Sequence, residues 1–565
     1  MSILEQLSQQ RKELQAKGSV PQWMTTAGFQ LFSEKYTNEG EDSFNGRART
    51  IAKTAASRLP ESQNKEEWEE KFYELIWKGW LSCSTPVLSN TGTSKGLSVS
   101  CSGQYIGDSI DQFYSNRRET AILTKNGFGT SAHLGAIRPR GSKISVGGKA
   151  SGVVPVFKGF VQDSRDVSQG STRRGAWAGY LPISHGDFDE LADFVKDNPD
   201  DANVGWNWYD SDTEKCNSGD AEAIRRFKKM LKLKMLTGKG YTFFNDKINR
   251  LSPQMYKDLG LLVSNGNLCA EVTLYNDEEH TYTCVLSAMN LAKRNEWKDT
   301  DAIFNATVFL DCIAEDFIQN GSKIPGLEKA VRFTQKGRAL GLGVCGFHTY
   351  LQQNGIAFEE LRASFLNGEI FKELHDESLR ASKWMATEFG EPEWCKGYGV
   401  RNTHRTACMP TMSTALIMGG VSQGIEPILG NCFIQSMAGG EVERINPVFL
   451  DLMKKRGKYS KKLVKEIADN HGSVQNLDWL TDEEKMVFRT AFEINQEVII
   501  RLASQRQHYI CQAQSLNLFF SADESEAYIA KIHRLAIEDE YIKSLYYVRS
   551  QAGVQASSGE CIACQ

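Results

Sequence analysis

From about residue 96 to residue 550 the sequence alternates short apolar stretches with glycine-rich turns and amphipathic helical segments, as in GAIRPRGSKISVGG and GAWAGYLPI. Strands that alternate with helices are typical of α/β proteins, in which helices cover the faces of a sheet. The earlier segment NKEEWEEKFYELIWKGWL instead places Trp68, Phe72 and Ile76 at helical spacing. The sequence therefore predicts a helical N-terminal region at 1–95 and a large α/β domain at 96–550.

The composition narrows the range of functions. The chain has 565 residues, a net charge of −4 and a pI of about 6.2. Domains that bind nucleic acids carry a strongly basic surface, so this balance argues against that class. No stretch approaches the roughly 18 uninterrupted apolar residues of a membrane helix, and the polar start MSILEQLSQQRKELQAKG lacks the apolar core of a signal peptide. We expect a soluble, cytoplasmic protein with neither nucleic-acid nor membrane partners.

The chain has 13 cysteines, an odd number that favours thiol chemistry over structural disulfides in a reducing compartment. Cys561 and Cys564 form its one C-x-x-C pair, and the tail around them has no histidine or second pair that could complete a zinc site. Residues 551–565 are small and polar, so we expect a flexible tail. A redox-active dithiol fits this tail best, and two unrelated terminal cysteines are the simpler alternative.

The segment NGNLCAEVTLY, residues 265–275, places Asn267, Cys269 and Glu271 at every second position. In an extended chain these side chains would project from one face, with apolar residues on the other. A half-solvated strand explains this alternation without any chemistry. An amide, a thiol and a carboxylate on one face equally suit a reactive site.

Three other segments admit both a structural and a functional interpretation. In ACMPTMSTALIMGG the hydroxyls after Pro410 suit helix N-capping first and a phosphate site second. The loop VSQGSTRRGAWAG, with Gln169 and Arg173, could cover a nucleotide or be an ordinary surface loop. The formal G-x-G-x-x-G that begins at Gly341 follows a polar, basic stretch, so we attribute it to close strand packing rather than to dinucleotide binding.

These motifs, and the order in which they follow one another, resemble those of the large, catalytic α subunit of class I ribonucleotide reductases. The resemblance runs from about residue 80 to the end of the chain. NLCAE resembles the family's Asn-x-Cys-x-Glu segment, and LSVSCSGQYIGDSID and CVLSAMNL resemble its two other active-site cysteine motifs. MPTMSTA and QGIEP resemble its phosphate loop, while LYYVR and the terminal C-x-x-C resemble its radical-transfer and redox segments. The resemblance implies a ten-stranded α/β barrel of two five-stranded halves, with a central finger loop that carries NLCAE.

The resemblance also implies a reaction, the replacement of the ribose 2′-OH of a ribonucleoside diphosphate by hydrogen. Cys269 would form a thiyl radical that removes the C3′ hydrogen, Glu271 would act as general base toward the 3′-OH, and Asn267 would hold a sugar hydroxyl. Cys101 and Cys284 would supply two electrons and become a disulfide. We expect no metal site and no directly bound cofactor in this chain.

The radical and the reducing equivalents would come from partners. By the resemblance, Tyr546 and Tyr547 would relay a radical from a separate, metal-containing β subunit to Cys269. The dithiol of Cys561 and Cys564 would reduce the buried disulfide and pass the oxidation on to thioredoxin or glutaredoxin.

Substrate and effector contacts follow from the same resemblance. Hydroxyl and backbone N–H groups would hold the substrate phosphates, although Met412 replaces a glutamate usual in the family; the candidates are Thr85, Ser100, Pro410, Ser413 and Thr414. A deoxynucleoside triphosphate or ATP would act as specificity effector at Asp108 and Arg138, with Lys143 in place of a second arginine. Gln169 and Arg173 would belong to the loop that relays effector identity to the substrate site.

Two expectations concern assembly and regulation. Family α subunits often form homodimers near the effector site, so we expect the helix after Asp108 to pack in such an interface. Only about 95 helical residues precede the barrel motifs, so we expect no N-terminal ATP-cone and no inhibition by dATP through one.

Three alternatives remain at this stage. An adenosylcobalamin-dependent reductase is the first, since GFGTSAHLGAIRPRG and KASGVVPVFKGF have features of that class. Tyr546 and Tyr547 argue against it, because a cobalamin enzyme makes its radical beside the cysteine. A glycyl-radical enzyme would need an Arg-Val-x-Gly-Tyr-like segment, which the C-terminal region lacks. A non-catalytic nucleotide-binding regulator would not need three active-site cysteines and Glu271.

Overall fold

The structure is a computed structural model that describes residues 3–41, 43–167, 175–437 and 440–551. The proposed tail dithiol, Cys561 and Cys564, and the proposed loop residues Gln169 and Arg173 lie outside these ranges. Within them, no helix combines the length and the apolar character that crossing a bilayer requires.

Helices dominate the N-terminal region: α1 (Ile3–Ala16), α2 (Thr26–Lys35), α3 (Phe44–Ser57) and α4 (Lys65–Trp77). The side chains of Thr25, Ser43 and Asn64 cap the last three by accepting hydrogen bonds from backbone N–H groups of the first turn. The apolar stripe of α4 is buried, as its spacing predicts. Strand β1 (Leu81–Cys83) and helix α5 (Thr85–Asn90) follow, so the segment up to residue 95 is not helical throughout. The predicted boundary at 95 stays a prediction.

Five parallel strands form the first half of a barrel: β2 (Cys101–Tyr105), β3 (Gly129–His133), β4 (Trp177–Pro182), β5 (Asn203–Trp208) and β6 (Tyr241–Phe244). The helices between them are α6 (Ile110–Lys125), α7 (Val153–Asp166), α8 (Phe188–Asp197), α9 (Asp210–Asn217) and α10 (Ala221–Thr237). Parallel neighbours need such crossovers because each strand must start again at the same edge of the sheet.

The second half starts with β7 (Tyr282–Asn290) and β8 (Leu340–Cys345), which are parallel. Two extended segments, 404–408 and 512–516, continue it through the parallel bridges Leu342↔Thr406 and Cys408↔Gln514. A hydrogen bond from Tyr546 N to Leu516 O then leads to β12 (Ser544–Leu545).

Two antiparallel seams join the halves and close the ring. Strand β2 pairs with β7, and β12 pairs with β6. Strand β1 extends the first seam by pairing with the far end of β7. The ten-stranded barrel of two five-stranded halves is therefore confirmed.

The other elements connect the strands or cover the barrel. The helices are α11 (Asn245–Arg250), α12 (Gln254–Leu259), α13 (Arg294–Trp297), α14 (Ala302–Gly321), α15 (Glu328–Gly337), α16 (Phe347–Gln353), α17 (Leu361–Phe389), α18 (Met412–Ile417), α19 (Pro447–Lys455), α20 (Lys461–Asp469), α21 (Asp482–Val487), α22 (Gln496–Gln507) and α23 (Glu526–Glu538). Short 3-10 turns lie at Leu291–Lys293 and Glu393–Cys395. Two further strand pairs are β9 (Cys432–Met437) with β10 (Gly440–Ile445), and β11 (Leu518–Phe520) with β13 (Val548–Ser550).

The glycines of the formal G-x-G-x-x-G serve close packing of β8. A Cβ on Gly341 would lie 2.4 Å from Leu286 Cδ2, and a Cβ on Gly343 would lie 2.3 Å from Ala407 O. Both glycines lie inside the strand, whereas a dinucleotide fingerprint follows its strand. The packing interpretation is therefore confirmed.

The segment between α12 and β7 is the finger loop, and it contains no strand. Its tip turns at Leu268–Ala270, where Ala270 has a φ of 62° and its N–H donates to Asn267 O over 3.2 Å. The half-solvated strand is therefore wrong and the central finger loop is confirmed. Both halves of the barrel hold it: Ser131 Oγ of β3 donates to Gly266 O over 2.8 Å, and Ala513 N donates to Glu271 O over 2.9 Å.

Candidate active site

A narrow cleft opens beside the tip of the finger loop. At one end lie Cys101, Cys269 and Glu271. The rest of the lining includes many hydroxyl groups and the start of α18: Ser82, Ser84, Thr85, Pro86, Ser100, Leu286, Ser287, Ala288, Met409, Pro410, Thr411, Met412, Ser413 and Thr414. The hydroxyl groups of this lining suit a small polar ligand such as a nucleotide.

Ser515 links the backbone of Cys269 to the side chain of Glu271 at the finger tip. The Ser515 hydroxyl lies 2.7 Å from Cys269 O and 3.1 Å from Glu271 Oε2, and it can donate to either oxygen. Tyr180 OH donates to Asn267 O over 2.6 Å, which fixes the start of the turn. The turn, and not an extended strand, therefore brings the predicted amide, thiol and carboxylate together.

Glu271 is suited to proton transfer near neutral pH. Burial raises the pKa of its carboxyl to about 7, against hydrogen bonds from its own backbone N–H, Asn267 and Ser515, which lower it. A general base works best when its pKa lies near the working pH, because it is then both available and basic.

Cys101 and Cys284 are directly opposed partners across the antiparallel seam of β2 and β7. Such partners have Cα atoms about 4.5–5.5 Å apart, within the range that a disulfide bridges. Both thiols are reduced in this structure. Each sulfur accepts a hydrogen bond from a side-chain amide, Cys101 from Asn267 and Cys284 from Gln512, both over 3.2 Å.

Three tyrosines lead from the finger tip toward the C-terminal strand β13. Tyr546 OH donates to Cys269 Sγ over 3.5 Å, and the rings of Tyr546 and Tyr547 have centroids 4.1 Å apart. Tyr241, on β6, contacts both rings, and its hydroxyl lies 3.4 Å from that of Tyr547. The structure thus forms a continuous aromatic contact that ends at the thiol.

At the other end of the cleft, helix α18 begins at Met412. Thr411 occupies its N-cap position, but its hydroxyl accepts a hydrogen bond from Gly424 N instead of capping the helix. The preference for a capping role is therefore wrong for this residue. Ser413 and Thr414 line the cleft, and across from them Ser100 Oγ donates to Ser84 Oγ over 3.1 Å.

The proposed effector residues lie apart from this cleft, beyond the end of β2. The Arg138 guanidinium forms an ion pair with the Asp108 carboxylate, and Arg138 N donates to Asp108 Oδ1 over 3.3 Å. Arg138 Nη1 also donates to Lys143 O over 3.1 Å, while the side chain of Lys143 is exposed. The structure thus brings these three residues together.

Sequence reasoning missed Gln512, Ser515 and Tyr241. The first two lie in CQAQSLN, where polar residues interrupt a buried extended segment, and that was the available signal. Tyr241 gives no such signal, since an aromatic residue in a strand is ordinary.

Within the part of the chain that the structure describes, no group of three or more His, Cys, Asp or Glu residues is arranged to hold a metal ion.

Comparisons with known proteins agree with this geometry. Residues 22–96 match the family model described as "Ribonucleotide reductase, all-alpha domain", and residues 99–207, 205–394 and 392–548 match "Ribonucleotide reductase, barrel domain". Among the curated relatives, the putative ribonucleoside-diphosphate reductase large subunit of Frog virus 3 is 31% identical over 89% of this chain and 94% of its own length. The vitamin B12-dependent ribonucleoside-diphosphate reductase of Thermoplasma acidophilum is 28% identical over 83% of this chain and 63% of its own.

A solved structure gives the same result. The class Id ribonucleotide reductase alpha subunit of Actinobacillus ureae is 38% identical, with a TM-score of 0.86, over 94% of this chain and 98% of its own. This likeness favours the class I assignment over the cobalamin-dependent one. The chain therefore belongs to the large, catalytic α subunits of class I ribonucleotide reductase, the oxidoreductases that make deoxyribonucleotides.

Proposed function

We propose that Cys269, Glu271 and Asn267 start the reduction of a ribonucleoside diphosphate bound in the cleft. A thiyl radical on Cys269 removes the C3′ hydrogen atom, and Glu271 accepts the proton of the 3′-OH. Asn267 holds a sugar hydroxyl, as an amide can both donate and accept. The observation that carries this proposal is the meeting of Cys269, Glu271 and Cys101 at one end of a single cleft.

Cys101 and Cys284 supply the two electrons in this proposal. The 2′-OH leaves as water, a hydrogen takes its place at C2′, and the two thiols become a disulfide. Their opposed positions across the seam support this pairing, because the disulfide can form with little movement of either strand.

The hydroxyl-rich end of the cleft suits the substrate phosphates. Thr85, Ser100, Ser413 and Thr414 offer hydroxyl groups there, and Pro410 shapes the approach to α18. Among the described residues that line the cleft, Glu271 is the one acidic side chain. Met412 stands where the family usually has a glutamate. Neutral donors are compatible with a diphosphate, which a carboxylate would repel.

The radical comes from a β subunit that holds the metal, through Tyr547 and then Tyr546. The contact between Tyr546 and Cys269 supports this route, because the proton that moves together with the electron needs a hydrogen-bond contact between the two groups. The dithiol of Cys561 and Cys564 renews the reduced cysteines and hands the oxidation to thioredoxin or glutaredoxin. We place the enzyme in the cytoplasm.

A deoxynucleoside triphosphate or ATP binds near Asp108, Arg138 and Lys143, and loop residues Gln169 and Arg173 relay its identity to the substrate. We propose a homodimer through α6, which follows Asp108. Its residues Ile110 and Tyr114 are 69% and 63% exposed, and large apolar residues at such exposure suit an interface.

The decisive experiment measures deoxynucleotide formation from a ribonucleoside diphosphate by the purified chain with each candidate radical source. We expect product only with a β subunit. Product with adenosylcobalamin alone would overturn the class I mechanism. Cys269→Ala should abolish product and leave nucleotide binding intact, whereas Cys312→Ala, at a buried cysteine on α14, should retain product formation.

A further inference from the structure

We propose that the reductant of the Cys101–Cys284 disulfide attacks Cys101 Sγ, which the cleft exposes, and that Gln512 is a positioning residue that supports the negative charge on Cys284 Sγ, the leaving group. This inference rests on the proposed pairing of the two cysteines. It specifies which of the two sulfurs is attacked, and it assigns a role to Gln512, which lies outside the motifs that carry the family resemblance.

The contacts of Gln512 fix which end of its amide faces the sulfur. Its Oε1 accepts a hydrogen bond from Thr273 N over 3.2 Å, and its Nε2 donates to Leu340 O over 2.8 Å. A flipped amide would place oxygen against the Leu340 carbonyl and N–H groups against the Thr273 N–H. The remaining N–H therefore points at Cys284 Sγ, 3.2 Å away.

The two sulfurs differ in their access to the cleft. Cys101 lines the cleft, whereas Cys284 is fully buried and absent from its lining. A reductant that enters the cleft therefore meets Cys101 Sγ first. Asn267 gives Cys101 a comparable hydrogen bond, so access and not hydrogen bonding distinguishes Cys101 as the point of attack.

A buried leaving group needs support for its charge. Burial raises the pKa of the Cys284 thiol to about 12, and the hydrogen bond from Gln512 opposes that rise. Thiol–disulfide exchange is faster when the leaving thiolate is more stable. The N–H of Gln512 therefore supports negative charge where the attack on Cys101 would place it.

The exchange balances as follows. A thiolate of a dithiol reductant bonds to Cys101 Sγ, the S–S bond breaks, and its electron pair stays on Cys284 Sγ, which then takes up a proton. The second thiol of the reductant loses its proton and attacks the reductant's own sulfur in the mixed disulfide. Cys101 leaves as a thiolate and is protonated, and the reductant has given two electrons and become a disulfide.

A monothiol stops this sequence at the mixed disulfide and so reports the point of attack. The full-length chain is oxidised with diamide, treated briefly with 2-mercaptoethanol, quenched with acid, digested and mapped by mass spectrometry. We expect the adduct on the Cys101 peptide and a free thiol at Cys284. An adduct mainly on Cys284, or equally on both, would overturn the inference. Absence of any Cys101–Cys284 disulfide in the oxidised chain would instead refute the pairing itself.

Gln512→Leu tests the role of the amide. The ratio of Cys101 adduct to Cys284 adduct should fall by about tenfold or more, because losing one hydrogen bond to a charged group slows a reaction by roughly that factor. A merely structural loss would slow both attacks and leave the ratio unchanged, which would count against the proposal.

The matched control is Gln496→Leu. Gln496 is also a buried amide, but its Nε2 donates to Ala491 O over 3.2 Å and to Ile494 O over 2.7 Å instead of to a sulfur. The control should keep the wild-type adduct ratio. If Gln512→Leu does not fold, the mapping of the wild-type chain still decides the point of attack.

Discussion

The hydroxyl of Tyr546 donates a hydrogen bond to Cys269 Sγ over 3.5 Å, inside a fully buried part of the barrel. Tyr546→Phe removes this hydroxyl and keeps the ring. We expect product formation with the β subunit to fall below detection, while substrate binding measured by calorimetry changes less than about twofold, because the proposed radical route needs the phenol. Tyr256→Phe, another buried tyrosine in the same apolar cluster, should retain activity. Normal turnover of Tyr546→Phe would exclude this route.

The raised pKa of Glu271 gives a pH dependence of catalysis. Burial raises that pKa to about 7, so the carboxylate form that accepts a proton is lost below this pH. We expect kcat/KM to rise with pH through about 7 and Glu271→Gln to lower kcat at least about 100-fold, the low end for loss of a general base. If kcat/KM of the wild-type enzyme does not change with pH near 7, Glu271 is not the general base.

The Glu271 carboxyl should also lower the free energy of unfolding of the protein at higher pH. Its folded pKa lies above the ordinary value of 4.5, so between about 4.5 and 7 the folded state binds more protons than the unfolded state. The free energy of unfolding therefore falls as pH rises through this window. Relative to wild type, Glu271→Gln should gain up to about 3 kcal/mol by pH 8 and nothing below pH 4.5. Urea unfolding of both proteins at several pH values measures the difference.

The ion pair of Arg138 and Asp108 locates the proposed effector site. Arg138→Ala removes a guanidinium that a triphosphate would contact, so deoxynucleoside triphosphate binding should weaken about tenfold or more. Arg140→Ala is the matched control, since Arg140 pairs with Glu190 instead. Calorimetry on both variants checks the prediction, and equal losses would indicate a general charge effect rather than a site.

Close packing behind the cysteine pair makes Gly341 sensitive to substitution. A Cβ there would lie 2.4 Å from Leu286 Cδ2 and 3.2 Å from Cys284 Sγ. Gly341→Ala should cost about 1–3 kcal/mol of unfolding free energy, as overpacking does. Gly368→Ala, on α17, meets only the flexible end of Gln505 and should be neutral or stabilising. Chemical denaturation of both variants measures the contrast.

Much of the architecture could be predicted from the sequence, because strand and helix periods are local properties. The stripe in α4 and the barrel implied by the motifs both agree with the structure. The turn at Ala270 could not be predicted, since a positive φ in a non-glycine residue depends on contacts from Tyr180, Ser515 and Ser544 that are distant in sequence. Alternation of polar residues at Asn267, Cys269 and Glu271 was therefore a misleading sign of a strand.

The auxiliary residues of the site were the least predictable part. For Gln512 the sequence offers only the weak signal of a polar residue in a buried extended segment. The residue gains a role because the finger loop, β7 and β8 each supply a hydrogen-bond partner for its side chain. Thr411 is the opposite case, since the sequence pattern predicts that its hydroxyl caps a helix. In the structure that hydroxyl instead accepts a hydrogen bond from Gly424 N, 13 residues further along the chain. Side-chain amides and hydroxyls have many available partners, so tertiary structure decides among them.

The finger loop takes hydrogen bonds from both halves of the barrel, from Ser131 on one side and from Ala513 and Ser515 on the other. A chain in which either half is unfolded or cut away would lack one of these supports, and its Cys269 would be an ordinary exposed thiol. The proposed radical site thus depends on the closed ring. Incomplete products of synthesis or proteolysis should therefore lack the activity of the intact chain.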